Sequence, residues 1–250
     1  MHIERRSFLD VDFDALRIED LLARISKSAP DAPFQYVVTP NVDHVIRLHN
    51  RLDEFPALPA IYKNADFCIC DSQVLSLLAK WKGVELPVIV GTDLAEATLN
   101  AVARKGDHIA VIGADRSLLQ ALQAKFPHLS FAQHIPPMGL TKNAGARREA
   151  AEFIKSENAR FTFICVGSPQ QEMIAYEAAS IEGCHGIAFC VGAALEFITD
   201  QQKRAPALVR RLRLEWAHRL VTNPRRLWRR YLLEGPAIFL LTYRWRKSVA

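Results

Sequence analysis

The chain of 250 residues has no apolar run long enough to cross a bilayer. A spanning helix needs about 20 consecutive apolar residues. The first residues, Met1-His2-Ile3-Glu4-Arg5-Arg6, run on without an apolar segment, so no secretory leader is expected. Cysteine is scarce and odd in number: Cys68, Cys70, Cys165, Cys184 and Cys190. Most of these sit in apolar, strand-like runs with no partners at metal-ligand spacing. Buried, reduced thiols are therefore expected rather than a disulfide framework or a zinc site. The fingerprint Gly-x-Gly-x-x-Gly is missing, which argues against a dinucleotide-dependent oxidoreductase, and there is no Walker sequence. Asp10-Val11-Asp12 is an Asp-x-Asp sequence. It precedes any nucleotide-binding strand, so no metal site is expected there. Internal repeats and low-complexity segments are also absent. With half its residues hydrophobic and a quarter charged, the chain is not disordered.

What is present is alternation. Short β-rich runs occur at 35–39, 66–70, 87–90, 108–112, 129–133, 161–166 and 186–191. Helical stretches fit between most of them, at 42–52, 73–81, 94–104, 117–126, 144–156 and 170–181. This order predicts an α/β fold, Rossmann-like, with a largely parallel sheet flanked by helices. Runs such as Ile109-Ala110-Val111-Ile112 are apolar throughout, as in strands covered on both faces.

The charge is uneven. The net charge is +5, yet residues 203–250 carry 13 Lys and Arg against Glu215 and Glu234 alone. An acidic body at 1–202 is thus expected to carry a basic helical appendage at 203–250. Prolines 224 and 236 divide that appendage into three short helices. Leu208, Leu212, Trp216 and Leu220 form one apolar stripe at four-residue spacing. Arginines interleaved with tryptophan suit a helix lying on an anionic bilayer. Arg225, Arg230, Trp228 and Trp245 are the expected docking residues. The alternative is a nucleotide- or nucleic-acid-binding α/β protein that uses the basic tail. The interleaved tryptophans and leucines favour the bilayer.

Ligands of open α/β sheets bind outside the carboxyl ends of the strands. Those ends carry Thr39-Pro40-Asn41, Asp71-Ser72, Gly113-Ala114-Asp115, Gly167 through Glu172, and Gly192-Ala193-Ala194. Glycines there are either structural or let backbone amides approach a phosphate. Asp71 is either a helix cap or a general base. Thr39 and Asn41 are caps or substrate hydrogen-bonders, and His44 is expected on a helix surface.

Several ordered segments resemble the WecG/TagA/CpsF glycosyltransferases, which build envelope and capsular polysaccharides. They are Val38-Thr39-Pro40-Asn41, Asn64 through Asp71, Gly91-Thr92-Asp93-Leu94, Gly167 through Glu172, and Val191 through Phe197. The tail contributes Lys203-Arg204-Ala205-Pro206, Leu214-Glu215-Trp216 and Pro224 through Tyr231. The resemblance implies inverting transfer from a UDP-sugar onto a polyprenyl-diphosphate-linked glycan, without metal or other cofactor. The enzyme would sit peripherally on the cytoplasmic face of a bacterial inner membrane, with self-association common and no nucleic-acid partner. It makes Asp71 the base, with Thr39 and Asn41 beside it. It places the donor and its diphosphate among Gly113, Asp115, Gly167, Gln171, Glu172 and Gly192. Arg219, Arg226 and Arg229 would swing in from the tail to complete the site. The chain departs from the family pattern at Ser72, Val88 and Glu196, where glycine, arginine and aspartate are usual. These departures point to a donor of glucose or glucuronic acid type at least as much as to N-acetylmannosamine.

Overall fold

The computed structural model describes residues 3–29, 32–202, 205–206, 209, 215–222 and 224–246. The chain opens with a hairpin, β1 (Arg5–Phe8) and β2 (Val11–Asp14), joined at Leu9 and Asp10. Both turn residues have positive φ, as a tight two-residue hairpin turn requires. Asp10 is thus a turn residue. The buried Asp14 ties the hairpin to the body: its Oδ1 accepts from Arg5 Nε at 3.0 Å and its Oδ2 from the Cys68 amide at 2.7 Å.

Helix α1 (Ile18–Ser26) leads into β3 (Gln35–Val38), α2 (Val42–Asn50), α3 (Leu58–Lys63), β4 (Phe67–Cys68) and α4 (Gln73–Trp81). Next comes α5 (Gly91–Ala97), which ends in a π-helical turn at Thr98–Val102. The body continues through β5 (His108–Gly113), α6 (Arg116–Lys125), β6 (Ser130–His134), α7 (Ala144–Glu157), β7 (Phe161–Cys165), α8 (Gln170–Ala179), β8 (Ile187–Cys190) and α9 (Ala194–Ile198). Strands β3 to β8 form one parallel sheet in the order β4-β3-β8-β7-β5-β6.

Alternation along the strands builds two cores, one per face. Tyr36, Val38, Ile112, Ile164, Ala188 and Cys190 point to one side. Val37, Ile109, Val111, Phe163, Ile187 and Phe189 point to the other. Both faces are covered by helices, which explains the uninterrupted apolar runs. The cysteines are free thiols, four of them buried and Cys165 partly so. Burial pushes the thiols up, that of Cys70 to about 12 and that of Cys184 to about 11.

The run at 87–90 is not a strand. It makes one parallel bridge, Cys70 to Val88, and one backbone bond from the Ile89 amide to Cys70 O. Pro87 has no N–H to give a ladder, and Val90 already caps α5. Helix α5 accordingly begins at Gly91, three residues before the expected start at 94.

The appendage forms α10 (Glu215–Thr222), α11 (Pro224–Trp228) with a π-helical continuation at Arg229–Glu234, and α12 (Ala237–Arg244). The breaks fall at the two prolines, and Pro224 opens its helix, where a missing N–H costs nothing. Leu208 and Leu212 of the expected stripe lie outside the described residues. Helix α12 returns to the body: Ile238 and Thr242 are buried, and Trp245 packs edge-on against Phe8 with ring centres 5.1 Å apart. Trp245 is therefore a partly buried ring packed on the body. Among the described residues no helix is long and apolar enough to cross a membrane.

Candidate active site

A cleft of about 1000 Å³ opens outside the carboxyl ends of β4, β3, β8 and β7. Its floor belongs to the body, and Thr222, Leu227, Arg230, Tyr231 and Glu234 of the appendage wall it.

Asp71 reaches the floor because the chain beyond β4 keeps pace with the chain beyond β3. The Ile69 amide donates to Val38 O, and the Asp71 amide to Pro40 O at 3.1 Å. The helix after Asp71 is capped by Ser72, whose hydroxyl accepts from the Leu75 amide. Capping therefore falls to Ser72, not Asp71. Gly91 lies beside both Asp71 and Thr39. A Cβ on Gly91 would lie 3.4 Å from Asp71 Oδ2 and 3.6 Å from Thr39 Oγ1. The Thr39 hydroxyl donates to Cys190 O at 2.8 Å, so its remaining lone pairs face the cleft as acceptors. Asn41 caps α2: its Oδ1 accepts from the Asp43 amide at 3.1 Å and lies 2.8 Å from His44 Nδ1. Only its amide nitrogen could meet a substrate. The structure thus brings Asp71, Thr39 and Asn41 together on one floor.

His44 is buried, 7 % exposed, and not on the surface as expected. It closes a capping box with Asn41, an Asn-x-x-His signal legible in the sequence. Its Nε2 lies 3.4 Å from the wholly buried Glu172. Glu172 Oε1 accepts from Gln171 Nε2 at 2.8 Å, and Gln171 Oε1 accepts from the Gly192 amide at 3.0 Å. One chain of contacts therefore runs beneath the floor from Asn41 to Gly192. Burial raises the Glu172 carboxyl, but His44 and the Gln171 amide outweigh it and hold it below its ordinary value. Glu172 does not line the cleft but supports it from behind. The Gly192 amide is occupied by Gln171 and is not open to a phosphate. Glu172→Ala would strand His44 and Gln171 in the core. We expect it to destabilise the fold by about 3 kcal/mol, read from urea midpoints.

Gly113 and Asp115 lie elsewhere. Gly113 ends β5 and Asp115 follows it, toward the other edge of the sheet, where Gln133 Nε2 donates to both their carbonyls. Gly113 has φ +89, and a Cβ there would strike Val166, so this glycine serves packing. Asp115 caps α6 through the Ser117 amide. Gly167 has φ +78 and open space where a Cβ would sit. It begins the turn whose Ser168 lines the cleft.

Among the appendage residues, Arg230 lines the cleft instead of facing outward. Its Nη2 lies 3.3 Å from Asp43 Oδ2, which also accepts from Arg47 Nη2 at 2.8 Å. Arg47 Nη1 donates to Ser168 Oγ at 2.9 Å. Burial raises the Asp43 carboxyl, but Arg230, Arg47 and His44 together bring it below its ordinary value. Arg229 is largely exposed and lies 3.6 Å from Glu234. Arg225 and Trp228 are exposed. The side chains of Arg219 and Arg226 lie outside the described residues. Asp43 and Arg47 carried no motif and were not expected here. They matter only because α2 and the appendage meet. Among the described residues no group of three or more His, Cys, Asp or Glu is arranged to hold a metal ion.

Comparison with known proteins finds relatives among glycosyltransferases. A curated relative from Bacillus spizizenii, the N-acetylglucosaminyldiphosphoundecaprenol N-acetyl-beta-D-mannosaminyltransferase, is 28 % identical over 182 residues, covering 71 % of this chain and 68 % of its own. The family model described as "Glycosyl transferase WecG/TagA/CpsF family" matches residues 6–250, walls and floor of the cleft included. The chain belongs to the WecG/TagA/CpsF glycosyltransferase family.

Proposed function

We propose that the protein moves a sugar from a UDP-sugar onto a polyprenyl-diphosphate-linked mono- or oligosaccharide, with inversion and without a metal ion. The observation that carries this reading is that Asp71 Oδ2 and Thr39 Oγ1 both flank Gly91 on the floor of a cleft large enough for a sugar nucleotide. The name of the Bacillus spizizenii relative, which pairs a lipid-diphosphate acceptor with an amino-sugar transfer, supports the acceptor class.

In the proposed reaction Asp71 takes the proton of the acceptor hydroxyl. The oxygen attacks the anomeric carbon from the side opposite the diphosphate. The glycosidic bond forms as the bond to the diphosphate breaks, and UDP leaves with its electron pair. Thr39 accepts a hydrogen bond from the acceptor and holds it beside the base. Arginines of the appendage offset the charge that develops on the leaving diphosphate.

The appendage also docks the enzyme on the cytoplasmic face of an anionic membrane. On α12, Ile238 and Thr242 face the body, so Phe239, Leu240 and Tyr243 point away from it. Leu232, Leu233 and Trp228 are exposed on the preceding segment, among basic residues. Such a surface suits an interfacial helix. The donor, of glucuronic acid, glucose or N-acetylmannosamine type, is to be named by a panel. Purified protein is offered each UDP-sugar with a polyprenyl-diphosphate-linked glucose or N-acetylglucosamine, and product mass is read with and without EDTA. One donor should give a mass increase of one sugar, undiminished by EDTA. Transfer that appears only with a divalent cation defeats the metal-free reading, and no transfer from any UDP-sugar defeats the donor class.

A further inference from the structure

The cleft has an unusual charge for a site that must hold a diphosphate. Among the described residues it is lined by four carboxylates, of Asp43, Asp71, Glu196 and Glu234, and by two guanidiniums, of Arg47 and Arg230. A diphosphate is repelled wherever carboxylates dominate and is held where guanidiniums converge. The two guanidiniums converge at one place. Both approach the same oxygen, Asp43 Oδ2, at 2.8 and 3.3 Å. Two positive charges on one carboxylate leave that end of the cleft with a net charge of about +1 by simple count.

Neither arginine is fully engaged by Asp43. Arg47 uses its other terminal nitrogen on the Ser168 hydroxyl, a neutral partner that an anion can displace or join. The Arg230 Nε is buried and has no hydrogen-bond partner. A buried, unpartnered guanidinium nitrogen at a cleft wall is costly unless a ligand completes it. The side chains of Arg47 and Asp43 are 14 % and 16 % exposed and that of Arg230 is 37 % exposed, so water screens the Arg47–Asp43 pair less than it screens Arg230. One arginine comes from α2 of the body and the other from the appendage, so a ligand bridging them would also close the appendage onto the cleft.

From these contacts we infer that Arg47 and Arg230, spaced by Asp43, form the diphosphate seat of the cleft. This deepens the proposed function, since a sugar donor and a lipid-linked acceptor both carry a diphosphate, and either could take the seat. Asp43 aligns both guanidiniums, and Ser168 holds Arg47 turned toward the cleft.

The test uses the full-length protein and inorganic pyrophosphate as probe, in EDTA, by calorimetry. Wild type should bind it. Arg47→Gln and Arg230→Gln should each weaken binding by about tenfold to a hundredfold, the loss typical of one charge-assisted contact. Melting curves verify that both variants fold, and limited proteolysis of the 203–250 segment measures how firmly the appendage is seated. If the arginines serve only to fasten the appendage, the variants will be cleaved faster while pyrophosphate binds as before. That outcome, or a wild type that does not bind pyrophosphate, overturns the inference. Competition then identifies the natural occupant: displacement by UDP assigns the seat to the donor, and displacement by a short-chain prenyl diphosphate sugar assigns it to the acceptor. A wild type that binds pyrophosphate through both arginines yet transfers no sugar sinks the proposed reaction and leaves the seat standing.

Discussion

Asp71→Asn is expected to lower sugar transfer by about 10²–10⁴-fold, the usual contribution of a positioned general base, while donor binding and melting temperature stay close to wild type. The substitution is nearly isosteric. Asp71 is fixed by its backbone bond to Pro40 O, which the side chain does not make. Ser72, not Asp71, caps α4. The change leaves these backbone features in place, and the melting temperature reports any loss of the carboxylate's own contacts. Steady-state rates at saturating donor, with donor binding measured separately, separate the two effects. A variant that keeps near-normal turnover would show that another group takes the proton. A variant that loses donor affinity in parallel with rate would make Asp71 a binding residue.

The second large effect concerns the appendage. Deleting 203–250 is a poor test of membrane docking, because α12 is part of the core. The deletion would uncover Phe8 and remove Ile238 and Thr242 from their packing. It would also remove one wall of the cleft. Loss of activity would then follow from unfolding alone. The outward side of the same segment gives a cleaner variant. Leu233, Phe239 and Leu240 are 61 %, 58 % and 50 % exposed. Replacing all three by asparagine removes apolar area without touching Ile238, Thr242 or Arg230. If each side chain contributes about 1 kcal/mol on entering the interface, part of the value for full burial, the triple variant should bind anionic vesicles about a hundredfold more weakly. Its melting temperature should stay within a few degrees of wild type. Activity on a short, water-soluble acceptor should persist while activity on the membrane-held acceptor falls. Unchanged vesicle binding would exclude this face from docking.

How much of this could be read from the sequence differs by feature, and the reasons are physical. Helix α4 was expected at both of its observed bounds, though its cap proved to be Ser72 and not the candidate Asp71. The apolar strands β5 and β7 were legible for the same reason that they are buried on both faces. The N-terminal hairpin was not, since Arg5-Arg6-Ser7-Phe8 shows charge where a strand signal needs apolar alternation. Its register is set by Asp14, whose partners Arg5 and Cys68 lie far apart in the chain. The floor of the site was legible because strand ends are where open sheets bind ligands, and Thr39, Asn41 and Asp71 all stand there. The choice among strand ends was not: Gly113 looks like Gly192 in sequence, but only strand order shows that β5 lies away from the cleft. Arg47 and Arg230 were hidden for another reason. Arg47 carried no motif and Arg230 was read as a docking residue, and only the fold brings them to the same oxygen of Asp43.

The most direct test of the account is the product of one metal-free reaction. Wild-type enzyme, the donor named by the panel, the lipid-diphosphate acceptor and excess EDTA are combined, and the anomeric configuration of the new linkage is read by proton NMR. Direct displacement by a hydroxyl activated at Asp71 predicts a configuration opposite to that of the donor. A product that retains the donor's configuration would contradict the account.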